Sequence, residues 1–328
     1  MTQDETTALL ESLQDFQGKN IAVVGDVMVD IYHRGTVNRI SPEAPVPVVS
    51  IDSVEHHPGG AANVAMNLKA LGAEVDLLGV TGEDVNGDVL MSLLREAGIR
   101  IDGCVSDPDR PTTAKTRVIA GSQHVVRTDL ETTNILSDRH REALVEFLKA
   151  GLSKYDAVIL QDYNKGVLQP DTIRTIIKTC RSNDVIVTVD PKFQHFFEYR
   201  NATMVKPNLK EVESVLGRTV QTDGQIADAG KELIESLESD YLLVTLGARG
   251  MELFARYDTF ERFPTQAKKV ADVSGAGDTV IATVTLALAA GSDPKTAAIL
   301  GNIAAGRVCE EVGIVPITVE TLRNSISG

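Results

Sequence analysis

The segment Asp272-Val273-Ser274-Gly275-Ala276-Gly277-Asp278-Thr279 runs straight into an apolar stretch and concentrates several chemical possibilities in eight residues. Gly275 and Gly277 permit positive φ and a close approach of backbone to ligand. Their N–H groups and that of Ala276, with those of the following helix's first turn, make an anion cradle with the helix dipole behind it. A carboxylate beside such a cradle repels the anion unless it has a task. The task that fits Asp278 is to take a proton from an attacking hydroxyl. The same residues also read as a plain helix start on a glycine turn, with Asp278 serving the cap.

Four further stretches carry polar groups at useful spacing. Pro58-Gly59-Gly60-Ala61-Ala62-Asn63 opens a helix; its glycines admit a polyhydroxyl ligand and Asn63 both donates and accepts hydrogen bonds. Gly25-Asp26, with Asp30, ends an apolar run, where carboxylates grip hydroxyls or simply make a turn. In Lys206-Pro207-Asn208-Leu209-Lys210-Glu211, Asn208 and Glu211 face one ligand or metal shell, or form an N-cap and its capping-box partner. Thr245-Leu246-Gly247-Ala248-Arg249-Gly250 follows a strand and either underlies a nucleotide or makes a hairpin turn.

These stretches sit at the joints of a strand–helix alternation. Strands are predicted at 21–24, 75–80, 157–160, 185–189 and 242–245, and helices at 61–71, 84–97, 171–182, 209–216, 279–290 and 294–310. A short amphipathic helix with Leu9, Leu10, Leu13 and Phe16 precedes them. The alternation predicts an α/β fold: a mainly parallel sheet with helices on both faces. Residues 31–51 and 112–130 break the rhythm. Pro42, Pro45 and Pro47 force extended chain in the first, and Gly121-Ser122 centres a hairpin in the second. The expectation is a small β-sheet lid, built from about 31–54 and 112–130, over the crevice at the strands' carboxyl ends.

Composition narrows the partners. Of 328 residues, 32 are Lys or Arg and 46 Asp or Glu, a formal net charge of −14. That balance argues against non-specific nucleic-acid binding, which needs a cationic surplus. Cys104, Cys180 and Cys309 have neither disulfide nor zinc spacing. The N-terminus is acidic without a leader's apolar core, and the run 280–290 is too short to span a bilayer. A cytoplasmic chain in one domain, with neither nucleic acid nor membrane as partner, is expected. P-loop, dinucleotide and hydrolase-elbow motifs are absent.

Taken in order, GGxAN at 59–63, KPNxxE at 206–211, TLGxxG at 245–250 and DxxGAGD at 272–278 resemble the ribokinase-like (PfkB) sugar kinases over essentially the whole chain. Val24–Asp30, Arg39–Val48, Pro58–Asn67 and Asp162–Gly166 resemble the branch that acts on heptose 7-phosphates. The resemblance implies a ribokinase-like kinase using ATP and Mg²⁺ on a sugar phosphate. It implies transfer to the anomeric hydroxyl of D-glycero-β-D-manno-heptose 7-phosphate, towards ADP-heptose for lipopolysaccharide. It assigns Asp278 as base and Gly275, Ala276 and Gly277 as anion hole. Asp26, Gly60 and Asn63 fall to the sugar, and the reading of the residues themselves adds Asp30 and Gly59. Asn208 and Glu211 fall to the Mg²⁺ shell, and Thr245, Gly247 and Asn302 to the nucleotide. Ser274 stands where many members have Thr and keeps the hydroxyl. A chain ending at Gly328 leads us to expect the kinase without the nucleotidyltransferase fused to it in some bacteria.

A sugar that already carries a phosphate needs a cation away from ATP. Arg39, Lys115, Arg117 and Arg127 in or near the lid, with Lys165 and Lys192 at strand ends, are the candidates. Val46, Val48 and Ile51 give the lid an apolar outer face that suits a homodimer. Two alternatives stay open: a family kinase for another sugar or nucleoside, and a non-catalytic sugar-binding regulator.

Overall fold

The structure, a computed structural model, describes residues 3–257, 260–267, 269, 271–311, 313 and 315–327. Helix α1 (Gln3–Gln14) leads to β1 (Asn20–Gly25), then two long strands, β2 (Val27–Ile40) and β3 (Pro47–Gly60). There follow α2 (Ala61–Ala70), β4 (Glu74–Leu78), β5 (Val80–Gly82), α3 (Val85–Glu96), β6 (Val105–Asp107), β7 (Ala114–Ala120) and β8 (Gln123–Leu130). Next come α4 (Asp138–Gly151), β9 (Ala157–Gln161), α5 (Pro170–Arg181), β10 (Ile186–Asp190), β11 (Met204–Val205), α6 (Leu209–Leu216) and α7 (Asp223–Leu237). The chain closes with β12 (Tyr241–Thr245), β13 (Met251–Ala255), β14 (Phe260–Phe263), α8 (Ala276–Ala289), α9 (Pro294–Val308) and α10 (Val319–Ser327).

Eight strands form the main sheet in the order β14-β13-β12-β11-β10-β9-β1-β4. It is parallel from β4 to β12, with β13 and β14 added antiparallel. The parallel strands are short and apolar because both faces are covered. One core packs α1, α2, α8 and α9 against one face; the other packs α4, α5 and α7 against the opposite face. Helix α8 is buried without a break from Asp278 to Leu288, the pattern of a helix enclosed on all sides. Parallel pairing brings the carboxyl ends of β1, β9, β10, β11 and β12 to one rim. Asp26, Gln161, Asp190, Lys206 and Leu246 therefore stand in a row.

The second sheet runs β3-β2-β7-β8. Its strands reach further than the sequence suggests: β2 begins at Val27, one residue past Asp26, and β3 ends at Gly60, where α2 begins. Val27 pairs with Gly60, and the Ala61 N–H donates to the Asp26 carbonyl at 3.0 Å. The small sheet is thus rooted at the main sheet's rim. Gly121, at φ 60°, turns the β7–β8 hairpin as expected.

Other boundaries differ for physical reasons. The run 75–80 divides, because Val80 leaves β4 to pair with Val105 in a third, two-stranded sheet. Helix α8 starts at Ala276 rather than Thr279, because Gly275 takes the left-handed conformation (φ 76°) and puts Gly277 and Asp278 in the first turn. Helices α4, α7 and α10 escaped the apolar-period reading. Ser137 caps α4, and a Thr222–Gln225 capping box opens α7. Among the described residues no helix is long and apolar enough to cross a membrane.

Candidate active site

At the start of α8 the Ser274 N–H bonds Asp272 Oδ1 at 2.9 Å, and the Ala276 N–H turns back to the Val273 carbonyl at 3.3 Å. Among the described residues the N–H groups of Gly277 and Asp278 have no acceptor. A Cβ on Gly277 would meet nothing closer than Lys206 Nζ at 3.7 Å, so open space and an ammonium lie over this backbone. Lys206 is 2% exposed and pairs with Asp190 at 3.1 Å. These residues line one cleft of about 680 Å³ together with Asn208, expected at the Mg²⁺ shell, and Thr245, Gly247 and Asn302, expected at a nucleotide. The 245–250 segment is therefore both the β12–β13 hairpin turn and a cleft wall.

Asp278 does not cap its helix. Its Oδ2 accepts from Asn63 Nδ2 at 2.8 Å, and its Oδ1 accepts from the Tyr163 hydroxyl at 2.8 Å and Gln161 Nε2 at 3.1 Å. Burial pushes its carboxyl up to about 6. The Asn63 bond opposes that rise, the nearby Asp190 charge adds to it, and Tyr163 and Lys206 pull it down. A buried carboxyl near 6 is ionised at neutral pH yet accepts a proton readily, which is what general-base chemistry needs. Asn63 is braced in turn: Asn67 Nδ2 donates to its backbone oxygen at 2.9 Å, and Thr279 Oγ1 donates to Asn67 Oδ1 at 3.2 Å. This chain of bonds ties α2 to α8.

On the other side of Asn63, Gly59 and Gly60 lie against the root of the small sheet. A Cβ on Gly59 would strike Asp30 Oδ2 at 2.3 Å, and one on Gly60 (φ 58°) the Asp26 carbonyl oxygen at 2.5 Å. Asp30 sits beside Gly59 and pairs with Arg117, whose guanidinium also lies over the Tyr32 ring at 5.1 Å. Asp26 has a different setting from the one expected. Its carboxylate accepts from the N–H groups of Tyr163 (2.8 Å), Lys165 (3.1 Å) and Val167 (3.3 Å), so it holds the loop after β9. Burial and the Asp162 charge raise its carboxyl to about 6 despite those bonds.

The candidate cations are mostly paired already. Lys115 bonds Asp129 and Glu131 at 3.3 and 3.1 Å, Lys165 bonds Glu131 at 2.8 Å, Arg127 grips Asp129, and Lys192 pairs with Glu211. Arg39 lies exposed near the far end of β2, away from the rim. Arg110, which the sequence did not single out, is partly buried and donates to the Lys165 carbonyl. It has no carboxylate within ion-pair distance among the described residues. Burial lowers its pKa against the pull of Asp26 and Asp107.

Asn208 and Glu211 form a capping box at the start of α6: the Glu211 N–H bonds Asn208 Oδ1 at 3.0 Å, and the Asn208 N–H bonds Glu211 Oε2 at 2.8 Å. Both readings of this pair thus coexist, with Asn208 on the cleft wall and Glu211 joined to Lys192, which also lines the cleft. Among the described residues no three acidic, histidine or cysteine side chains form a metal cage. Asp190 and Glu211 are each held by a lysine. This donor set suits a Mg²⁺ brought in on phosphate oxygens and largely hydrated, not one caged by protein.

Gln161, Tyr163, Asp190 and Lys206 had no predicted role. Each lies at the carboxyl end of a rim strand or within two residues of it, and that placement was the available signal.

The model of the pfkB family of carbohydrate kinases matches residues 18–321. Among curated relatives, the bifunctional protein HldE of Pectobacterium carotovorum is 42% identical over 317 residues, 97% of this chain and 65% of that protein. HldE of Geobacter sulfurreducens is 39% identical over 94% of this chain and 63% of its own length. The chain thus spans about 65% of the length of these relatives. In fold it is similar to phosphofructokinase-2 from Escherichia coli in complex with potassium (TM-score 0.78, 18% identity, covering 95% and 99% of the two chains). It is likewise similar to Arabidopsis thaliana ribokinase complexed with ribose and ATP (TM-score 0.75, 20% identity, 95% and 100%). A family match over nearly the full length agrees with the glycine cradle and buried carboxylate at the sheet rim, and the chain belongs to the pfkB family of carbohydrate kinases.

Proposed function

We propose that this chain transfers the γ-phosphoryl group of ATP to the anomeric hydroxyl of D-glycero-β-D-manno-heptose 7-phosphate, giving the 1,7-bisphosphate on the way to ADP-heptose for lipopolysaccharide. The observation that carries the reading is the place of Asp278: a buried carboxylate between Asn63, on the proposed sugar side, and the unpaired Gly277 amide on the nucleotide side. The heptose substrate draws further support from the quoted segments and from the 42% identity to HldE.

In this reading Asp278 accepts the hydroxyl proton as that oxygen forms its bond to the γ-phosphorus. The bond from phosphorus to the bridging oxygen breaks, and ADP leaves. The free Gly277 amide and the Lys206 ammonium stabilise the charge that builds on the transferring group, whereas the Ala276 N–H, expected to share this role, is turned to the Val273 carbonyl. Mg²⁺, when bound, neutralises phosphate charge, and Asn208 and Glu211 would hold its water shell. Thr245, Gly247 and Asn302 seat the nucleotide. Asp30, Gly59, Gly60 and Asn63 seat the sugar. Asp26 serves it indirectly, by fixing the 163–167 loop. Lys165 on that loop and Arg110, which reaches its carbonyl from the β6–β7 connection, take the sugar's own phosphate, with Lys115 and Arg117 beside them.

The small sheet is the lid. Alternation along β2, β3, β7 and β8 puts Asp30, Tyr32, Arg117 and Arg127 on one face, and Val54, Val118 and Val126 on the other. The second face continues into Val37 and Ile51, both about 40% exposed, and a second copy of this chain pairing there makes a homodimer. Phosphorus NMR of sugar 7-phosphate with ATP tests the reaction. A new anomeric phosphate signal with the 7-phosphate retained is expected; ATP left intact refutes it.

A further inference from the structure

Gln161 ends β9, in register with Gly25 of β1 on one side and Asp190 of β10 on the other. It is 1% exposed. Its Nε2 donates to Asp190 Oδ2 at 3.1 Å and to Asp278 Oδ1 at 3.1 Å. An amide nitrogen carries two hydrogens, and here each serves a different carboxylate. The opposite orientation would turn the amide oxygen onto two acceptors, so the chemistry of the neighbours sets it. Meanwhile Gln161 Oε1 is buried and accepts no hydrogen bond among the described residues. A buried acceptor left unmet is a net cost. Packing alone would not select a side chain that bears this cost while spanning two acids.

We propose that Gln161 is a positioning residue for phosphoryl transfer, its amide fixing the Asp278 carboxylate and tying it to the Asp190–Lys206 ion pair. The proposal rests on Asp278 being the base. The groups facing Asp278 come from four places: Asn63 on α2, Tyr163 after β9 with Lys192 over its ring at 5.2 Å, Asp190 at the end of β10, and Lys206 after β11. Of these, Asp190 alone repels an ionised Asp278. Gln161 gives the two like charges a shared donor, which offsets their mutual repulsion.

The test compares pH–rate profiles of wild type, Gln161→Met and Gln161→Glu. Methionine fills the space without a donor. A protonated glutamic acid has a single hydrogen and serves only one of the two acids. With the donor gone, the acidic limb of kcat is expected to move up by about one pH unit. At pH 6 kcat then falls about five-fold, while at pH 8.5 kcat and the KM for ATP stay within about two-fold. In the Asp190→Asn background the same substitution is expected to move the limb by less than in the wild-type background, because the repelling charge is gone and only the lost donor to Asp278 remains. A limb that stays in place, or a kcat lowered by one factor at every pH, overturns the proposal. If Gln161→Met does not fold, Gln161→Glu with carbon NMR titration of the Asp278 carboxyl gives the same decision without turnover. Asp278→Asn separates the two claims. Activity retained in it defeats the base assignment itself; activity lost in it, with an unmoved limb in Gln161→Met, defeats only the positioning role.

Discussion

Replacing Asp278 by Asn is expected to stabilise the protein at neutral pH while removing its chemistry. The sign follows from the direction of the shift. Burial raises the folded-state carboxyl from 3.8 to about 6, so the folded protein binds this proton more tightly than the unfolded chain does. Stability from this group is therefore present at low pH and is lost as pH rises from about 4 through 6. Integrating between pH 4.5 and 7.5 gives about 2 kcal/mol lost by the wild type and not by the Asn variant. The carboxylate accepts from Asn63, Gln161 and Tyr163, and Asn forfeits part of that. The forfeit does not depend on pH, so it shifts the offset between the two proteins and not its pH dependence. Denaturant unfolding of both proteins across this range is the assay; in thermal terms the change corresponds to about 3 °C for a chain of this size. A stability difference that stays constant from pH 4.5 to 7.5, or one that moves in the wild type's favour as pH rises, refutes the reasoning.

Asp26→Ala leaves three loop N–H groups without an acceptor but relieves a buried charge; a net loss of roughly 2–5 kcal/mol is expected in denaturant unfolding. Lys165→Ala and Arg110→Ala should each raise KM for the sugar phosphate far more than KM for ATP. Unchanged KM values for both substrates in both variants would remove these residues from the phosphate site. Val126→Asp, on the outer face of the small sheet, should give a monomer by sedimentation with its fold intact, and an unchanged sedimentation coefficient would count against pairing through that face.

Much of this was legible in local patterns because the physics is local. Short apolar runs located β1, β9, β10 and β12, and the glycine turn before an apolar run marked the start of α8. The GAGD segment and GGxAN announced a cradle and a ligand helix, and the structure braces them through Asn63 and Asp278. What could not be read locally was the company each residue keeps. Asp26 looked like a hydroxyl ligand, yet three backbone donors 137 to 141 residues away claim it. Lys115, Lys165 and Lys192 looked like free cations, yet folding delivers an acid to each. Gln161 and Lys206 were invisible as site residues because their roles depend on strand order, which brings β9, β10 and β11 side by side from distant parts of the chain. Helices α4 and α7 are announced in the sequence by their caps, Ser137 and the Thr222–Gln225 box, more than by an apolar stripe.

The most direct measurement is ADP release by Asp278→Asn with ATP and heptose 7-phosphate, taken beside its affinity for ATP. Loss of a general base with the cradle intact predicts a kcat about 10²–10⁴-fold below wild type and an ATP Kd within about three-fold of it. A variant that turns over within about ten-fold of wild type would contradict the assignment of proton abstraction to this carboxylate.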